Sequence, residues 1–96
     1  MQCVFSPLAE LDLEEIGDYI ARDNPSRAVS FIVEIREQCA KITARPQAAP
    51  MRHELGEGIH MVPFGRYLIF CTVDAESIRI ERVLHGARNI PALFDT

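Results

Sequence analysis

The chain has 96 residues, of which 48% are hydrophobic and 25% charged, and its formal net charge is −4. This composition excludes a disordered chain and predicts one folded domain over residues 1–96. No apolar run approaches the roughly 20 residues of a membrane span, so no membrane association is expected. The first residues lack the basic and apolar parts of a secretion signal, which predicts a cytoplasmic location.

Charge is unevenly distributed along the chain. Most acids lie in the first 40 residues, whereas most arginines lie from residue 45 onward. An acidic domain is poorly suited to bind nucleic-acid phosphates, so no direct nucleic-acid binding by the chain alone is expected. Arginine can bind a carboxylate or phosphate through two parallel hydrogen bonds, which makes the C-terminal arginines candidates for recognition.

The spacing of cysteine and histidine indicates no metal site. Cys3, Cys39 and Cys71 form no C-x-x-C pair and lie among apolar residues, which favours buried thiols. The three histidines lack the spacing of a zinc site. We therefore expect neither a metal nor a cofactor.

The N-terminal segment predicts a short strand followed by a helix. Residues 2–5 are β-like, and Ser6-Pro7 is typical of a helix start with serine as the N-cap. Apolar residues then recur at helical spacing up to residue 20. Gly17 lies on this apolar stripe and lowers helix propensity, so we interpret it as permitting close packing of a second helix.

A second amphipathic helix follows directly. Asn24-Pro25 is predicted to cap and begin it, and Arg45-Pro46 to end it. Two helices joined by about three residues form an antiparallel hairpin.

The remaining chain predicts a connection and three strands. Residues 45–58 contain two prolines and two glycines and are interpreted as a surface connection that carries Arg52. From Ile59 the pattern changes to strands, predicted over residues 59–64, over residues 66–73 and from residue 78 onward. Residues on both faces of the middle strand are apolar, which predicts a central strand covered on both faces.

The last strand raises a question at Arg82. If Ile78 and Ile80 point into the core, Arg82 inherits the inward direction. Either a β-bulge resets the register there, or Arg82 pairs with a ligand or an acid such as Asp12 or Glu15, because an unpaired buried arginine is very costly. The order β-α-α-β-β-β predicts an α+β fold in which a helical hairpin packs on a small, mainly antiparallel sheet.

Two groups of motifs resemble one family. The first runs from Ser6-Pro7 through Asp12-Leu13, Tyr19-Ile20-Ala21 and Asp23-Asn24-Pro25 to Phe31-Ile32, and the second consists of residues 65–70 and 82–89. Together they resemble ParE-type toxins of the RelE/ParE superfamily over nearly the whole chain. Asn89 stands where the family usually has Asp, and Cys71 where it often has Tyr.

The resemblance implies the toxin of a bacterial type II toxin–antitoxin system. It implies a ParD-like, ribbon-helix-helix antitoxin whose C-terminal segment wraps the toxin in a hetero-oligomer. It also implies DNA gyrase as the target, inhibited without nucleolysis and therefore without catalytic residues. The candidate target-binding residues are Arg66, Arg82, His85 and Arg88, and the candidate antitoxin-binding residues are Arg52, Tyr67, Phe70 and Arg79.

Two alternative functions stay open at this point. RelE-type relatives cut mRNA on the ribosome, and here Arg52, Arg66 and Arg82 could supply cations while His85 could be the base. Against cleavage, no tyrosine follows Tyr67, and the chain is acidic. The second alternative is a binding module that has lost toxicity.

Overall fold

The computed structural model describes residues 2–87 of the chain. It confirms the predicted α+β fold, in which two helices pack on a small mixed sheet of four strands. Neither helix in this part of the chain is long and apolar enough to cross a membrane. The elements in chain order are β1 (Gln2–Phe5), α1 (Pro7–Ala21), α2 (Pro25–Ala44), two short 3-10 turns (Pro46–Ala48 and His53–Leu55), β2 (His60–Phe64), β3 (Tyr67–Val73) and β4 (Ser77–His85).

Both helices begin at the predicted caps. The Ser6 hydroxyl accepts a hydrogen bond from the backbone N–H of Ala9 at 2.9 Å, and the Asn24 side-chain oxygen accepts one from the N–H of Arg27 at 3.0 Å. A proline follows each cap, at a position where a backbone N–H would have no helical partner. The short connection between α1 and α2 makes the two helices a hairpin.

The strand order in the sheet is β1-β4-β3-β2. β4 pairs in parallel with β1 and antiparallel with β3, while β2 and β3 form an antiparallel hairpin. Gly65 adopts φ +59° in the turn of this hairpin, a left-handed conformation that favours glycine. The first and last strands are therefore neighbours, and β1 and β2 are the two edges of the sheet.

The main core lies between the helices and the sheet. Ile35 and Cys39 of α2 and Ile69, Ile78 and Ile80 of the sheet are completely buried there. Their spacing on each element is that of one helix face and one strand face, so the sequence pattern alone brings them together.

A second core covers the other face of the sheet and differs from expectation. Leu55 and Ile59, in the segment between α2 and β2, pack with Phe70 and Leu84. The segment predicted as a surface connection therefore also shields β3 and β4 from water. Its apolar residues are too few and too irregularly spaced to indicate this role in the sequence.

A β-bulge interrupts β4 opposite β3. Cys71 pairs with Ile80, whereas the preceding residue, Phe70, pairs with Arg82, so Glu81 is the extra residue. The bulge resets the alternation and lets Val83 join the helix-side core. It is one of the two arrangements that the sequence leaves open at Arg82, and the ion pair described next is the other.

Candidate functional site

Arg82 forms a two-pronged ion pair with Asp12 of α1. Its Nε donates to Asp12 Oδ2 at 2.8 Å and its Nη2 donates to Oδ1 at 2.9 Å. Asp12 is buried, and the Arg82 side chain is 20% exposed. The hydrogen bonds to Asp12 raise the pKa of Arg82, although its partial burial acts in the opposite direction. Pairing of Arg82 with an acid, one alternative from the sequence, is thus confirmed.

The start of α1 also completes the edge of β4. β1 pairs with β4 only as far as Ile80, so the following residues have no strand neighbour on that side. There the backbone N–H of Val83 donates to Asp12 Oδ2 at 2.9 Å, and the Ser6 hydroxyl donates to the carbonyl oxygen of Glu81 at 2.7 Å. Asp12 and Ser6 thus replace the missing strand, because buried backbone groups need partners.

Two further target-binding candidates, Arg66 and His85, lie at one end of the fold, and we call this end the aromatic corner. It is defined by the four residues that line an open cavity of about 340 Å³: Tyr19, Arg66, Tyr67 and His85. A smaller cavity of about 130 Å³ shares three of them and also contacts Asp12 and Glu15. Within residues 2–87, Arg66 forms no ion pair. The corner thus offers a cation and exposed aromatic surface together.

Tyr67 is fixed between two other rings. Its centroid lies 5.5 Å from that of Phe31 and 5.3 Å from that of His85, the latter in an edge-to-face arrangement. Burial raises the pKa of Tyr67, and Tyr19 adds to this effect while Arg66 opposes it. The Tyr67 hydroxyl is therefore protonated at neutral pH.

The end of β4 sets the direction of His85. Its Nδ1 accepts a hydrogen bond from the N–H of Ala87 at 3.1 Å, so in the neutral ring the proton is on Nε2. The N–H of Gly86 donates to the carbonyl oxygen of Arg66 at 2.9 Å, and a Cβ at Gly86 would lie 3.4 Å from that oxygen. The backbone at Gly86 thus approaches that of Arg66 closely, and this contact holds Arg66 beside His85.

A second candidate surface is an open groove between α1 and α2, which we call the interhelical groove. It has a volume of about 780 Å³. Two of its apolar side chains, Val29 and Val33, are 69% and 51% exposed. Its α1 side carries the acids Glu10, Glu14 and Asp18. An apolar floor beside a row of acids is suited to an amphipathic segment with basic residues.

The interhelical groove leads to the edge of β1. Arg36 lines the groove, donates to Glu10 at 2.9 Å and lies 4.9 Å from the ring centroid of Phe5 in β1. The N–H of Gln2 donates to the carbonyl oxygen of Glu76, just before β4, and the N–H of Ser6 donates to that of Ile80 in β4, so both point toward β4. Because direction alternates along a strand, the N–H groups between them at Cys3 and Phe5 point to the open edge.

The opposite edge of the sheet is partly occupied. The N–H of Met61 donates to the carbonyl oxygen of Pro50 at 2.9 Å, and the N–H of Arg52 donates to that of Ile59 at 2.7 Å. Pro63 also removes one donor from β2. A partner strand therefore finds free backbone groups at β1 more readily than at β2.

Two of the residues predicted to bind the antitoxin are engaged in contacts of their own. Arg52 pairs with Glu54 and also contacts the Met61 sulfur at 3.3 Å. Arg79 Nε donates to Glu81 Oε1 at 3.2 Å on the exposed surface. Arg52 is half-buried and Arg79 is exposed, and neither lines the interhelical groove.

The structure divides the remaining predicted residues. Phe70 is completely buried in the second core, which leaves no exposed ring for a partner to contact. Arg88 lies outside the described residues.

Sequence reasoning did not select Tyr19, Val33 or Arg36 as surface residues. The sequence does contain a signal for Tyr19 and Val33, because each is an aromatic or valine side chain that lies off the apolar stripe of its helix.

Known proteins give these surfaces a context. A family model described as the ParE toxin of the type II toxin–antitoxin system ParDE matches residues 3–90. A solved structure of the chromosomal ParDE system from P. aeruginosa matches with a TM-score of 0.78 and 19% identity, over 88% of this chain and 95% of that chain. No curated protein matches the sequence significantly.

The two matches carry different information. At 19% identity the structural match shows the fold, which agrees with the predicted architecture. The family match spans nearly all of the sequence, and it identifies a protein toxin with an antitoxin partner of the ParD kind. This chain therefore belongs to the ParE toxin family of type II toxin–antitoxin systems.

Proposed function

We propose that this toxin inhibits DNA gyrase in the cytoplasm without cutting nucleic acid. The observation that carries the proposal is the pairing of Arg82, whose Nε and Nη2 both donate to Asp12. RNA cleavage needs cations free to stabilise the charge that develops on the phosphate. Arg82 is already neutralised, and the raised pKa of Tyr67 keeps its hydroxyl protonated at neutral pH, so it is not available as a base. These features favour target binding over RNA cleavage at the aromatic corner.

The target surface in this proposal is the aromatic corner. Arg66 is exposed, and the neutral His85 ring offers a donor at Nε2. Arginine can contact carboxylates or phosphates through two parallel hydrogen bonds. Arg82 acts indirectly, by holding the end of β4 on α1, and Arg88 follows in sequence.

A supercoiling assay with purified gyrase tests this proposal. Full-length toxin separated from its antitoxin is expected to stop supercoiling and to increase cleaved DNA. Arg66→Gln is expected to need about tenfold more toxin, because it removes charged hydrogen bonds to the target. Arg45→Gln removes the same charge from the exposed end of α2 and should leave inhibition unchanged.

Two results would contradict the gyrase proposal. One is full supercoiling activity at saturating toxin. The other is toxin-dependent cleavage of translated message, mapped by primer extension and lost in His85→Ala, which would indicate a ribosome-dependent endonuclease. Unchanged growth on expression without antitoxin would instead indicate a binding module without toxicity.

We further propose that a ribbon-helix-helix antitoxin occupies two connected surfaces. One extended stretch adds a strand to the edge of β1, where the N–H groups of Cys3 and Phe5 point outward. An amphipathic helix then lies in the interhelical groove, which Arg36 connects to that edge. Basic residues on this helix face the acids of α1.

Paired variants test each half of this antitoxin surface. Val33→Glu places a charge in the interhelical groove and should weaken antitoxin binding by at least about 30-fold, as expected for a central interface residue. Leu8→Glu is the control, since Leu8 is 54% exposed against 51% for Val33 but does not line the groove. Cys3→Pro removes the outward N–H and should weaken binding, whereas Cys3→Ala keeps it. Equal antitoxin affinities of Val33→Glu and Leu8→Glu would contradict binding in the interhelical groove. Equal antitoxin affinities of Cys3→Pro and Cys3→Ala would contradict strand addition at β1.

A further inference from the structure

The aromatic corner has a composition that a flat protein-binding surface does not need. Its larger cavity of about 340 Å³ is lined by two tyrosines, a histidine and an arginine. The smaller cavity of about 130 Å³ shares Tyr19, Tyr67 and His85 with it. Ligand sites of small molecules are concave, largely aromatic or apolar, and contain a few convergent polar groups.

The two cavities differ in the charged groups that line them. The cation Arg66 lines the larger cavity, while the carboxylate of Glu15 lines the smaller one. The other carboxylate at the smaller cavity, Asp12, is bound by Arg82 and is not available to a ligand. A matching ligand has an anionic group at one end, a flat ring in the middle and N–H donors at the other end.

We infer that the aromatic corner binds one nucleotide unit, with the base against Tyr19 and Tyr67 and the phosphate at Arg66 and His85. Tyr19 is 65% exposed, so it presents a ring face to a base. Amino groups on the base can donate to Glu15. This inference rests on the proposed function, because it specifies what the target presents at the same corner.

The surroundings limit the site to a single unit. Arg22 lies 5.9 Å from the Tyr19 ring centroid and adds one cation beside the base. The exposed carboxylate of Glu15 lines the smaller cavity of the same corner. A longer phosphate backbone would meet this acid, which agrees with the expectation that an acidic chain does not bind nucleic acid through its backbone.

Nuclear magnetic resonance titration of the full-length toxin, without gyrase, tests the inference. The probes are AMP, dAMP, adenosine, inorganic phosphate and a short oligodeoxyadenylate. AMP or dAMP is expected to shift the resonances of Tyr19, Tyr67 and His85 with a Kd of roughly 1 mM or tighter. Binding of the oligonucleotide as well identifies a nucleic-acid end as the source, and binding of the mononucleotide alone identifies a free nucleotide.

Three variants separate stacking from charge. Tyr19→Ala should weaken AMP binding by about 5- to 100-fold, whereas Tyr19→Phe, which keeps the ring, should bind as the unaltered toxin does. Arg66→Gln should weaken AMP binding about tenfold and leave adenosine binding unchanged. Tyr19 and Arg66 are exposed, so these variants are expected to fold, which circular dichroism checks.

Several results would overturn the inference. They are the absence of shifts at the corner, equal shifts with inorganic phosphate alone, equal affinity in Tyr19→Ala, or tighter binding of an Asp- and Glu-rich peptide. The last would make the corner a protein-binding surface. Since gyrase is absent from this titration, nucleotide binding can fail while supercoiling is still inhibited, and the reverse result is equally distinguishable.

Discussion

Asp12 binds Arg82 and the backbone of Val83 through the same carboxylate. One acid on α1 therefore fixes both a side chain and an edge N–H of β4, 70 and 71 residues away in the sequence. This contact aligns the helical hairpin with the strand that ends at the aromatic corner. The acid is a structural determinant of the corner, although its carboxylate is bound by Arg82 and Val83 and is not available to a ligand.

Asp12→Ala is expected to destabilise the protein by about 3 kcal/mol. Removing one partner of a buried ion pair leaves the other charge uncompensated, and here it also leaves the Val83 N–H without its acceptor. Urea unfolding followed by circular dichroism measures the loss. The control is Glu10→Ala, which removes an exposed pair with Arg36 and should cost less than about 1 kcal/mol. Equal losses would contradict the distinction between the two pairs.

Ser6→Ala is expected to cost more than Asn24→Ala. Both residues cap a helix, and loss of a cap costs about 1 kcal/mol. Ser6 is buried and also donates to Glu81, so its loss leaves a second group unsatisfied and should cost about 2 kcal/mol in total. The difference between the two unfolding free energies is the measurement. A larger loss for Asn24→Ala would show that Ser6 acts only as a cap.

Gly17→Ala is expected to stabilise the protein. The sequence predicts that Gly17 permits close packing of α2, yet an added Cβ would lie 3.7 Å from the nearest Ile32 atom, an ordinary contact. Alanine is favoured over glycine within a helix by about 0.8–1 kcal/mol, which corresponds to a rise in Tm of roughly 4 °C. Calorimetry checks this value. A lower Tm would mean that the helices must separate to accommodate the methyl group.

The buried thiols predict a loss of stability in alkali. Burial raises the pKa of Cys39 from 9.0 to about 12 and that of Cys71 from 9.0 to about 11. Below pH 9 these thiols are protonated in both states and contribute no pH dependence. Above pH 9 the thiols ionise only in the unfolded chain. The free energy of unfolding therefore falls as the pH rises toward the pKa values of the thiols in the folded protein.

Unfolding at about pH 8 and about pH 10 should differ by roughly 1 kcal/mol for each buried thiol. Cys39→Ala should reduce this difference, whereas Cys3→Ala, at a half-buried position, should reduce it less. A thiol reagent should also modify Cys3 first in the folded protein. Modification of Cys39 before Cys3 would contradict the burial described here.

Local signals in the sequence predicted most of the fold. Ser6-Pro7 and Asn24-Pro25 marked the helix starts because capping depends on neighbouring residues. The bulge and the Asp12 pair at Arg82 were among the foreseen alternatives because a cation at a core position requires one of them. The choice between them needed the structure, which contains both.

The surfaces were harder to predict than the core. Phe70 has the sequence character of any strand residue, and its burial depends on Leu55 and Ile59, which no periodicity connects to β3. Likewise, Tyr19 and Arg66 meet only because α1 ends near the start of β3. Such juxtapositions depend on tertiary packing, which has no local pattern in a single sequence.

The parallel pairing of β1 with β4 has a consequence for biosynthesis. Ser6 donates to a carbonyl group 75 residues later, so the first strand leaves the ribosome well before the strand that completes it. Contacts this distant form late in folding. The sheet of a nascent chain is thus incomplete until β4 has been translated, and the aromatic corner, which includes His85 at the end of β4, is absent until then.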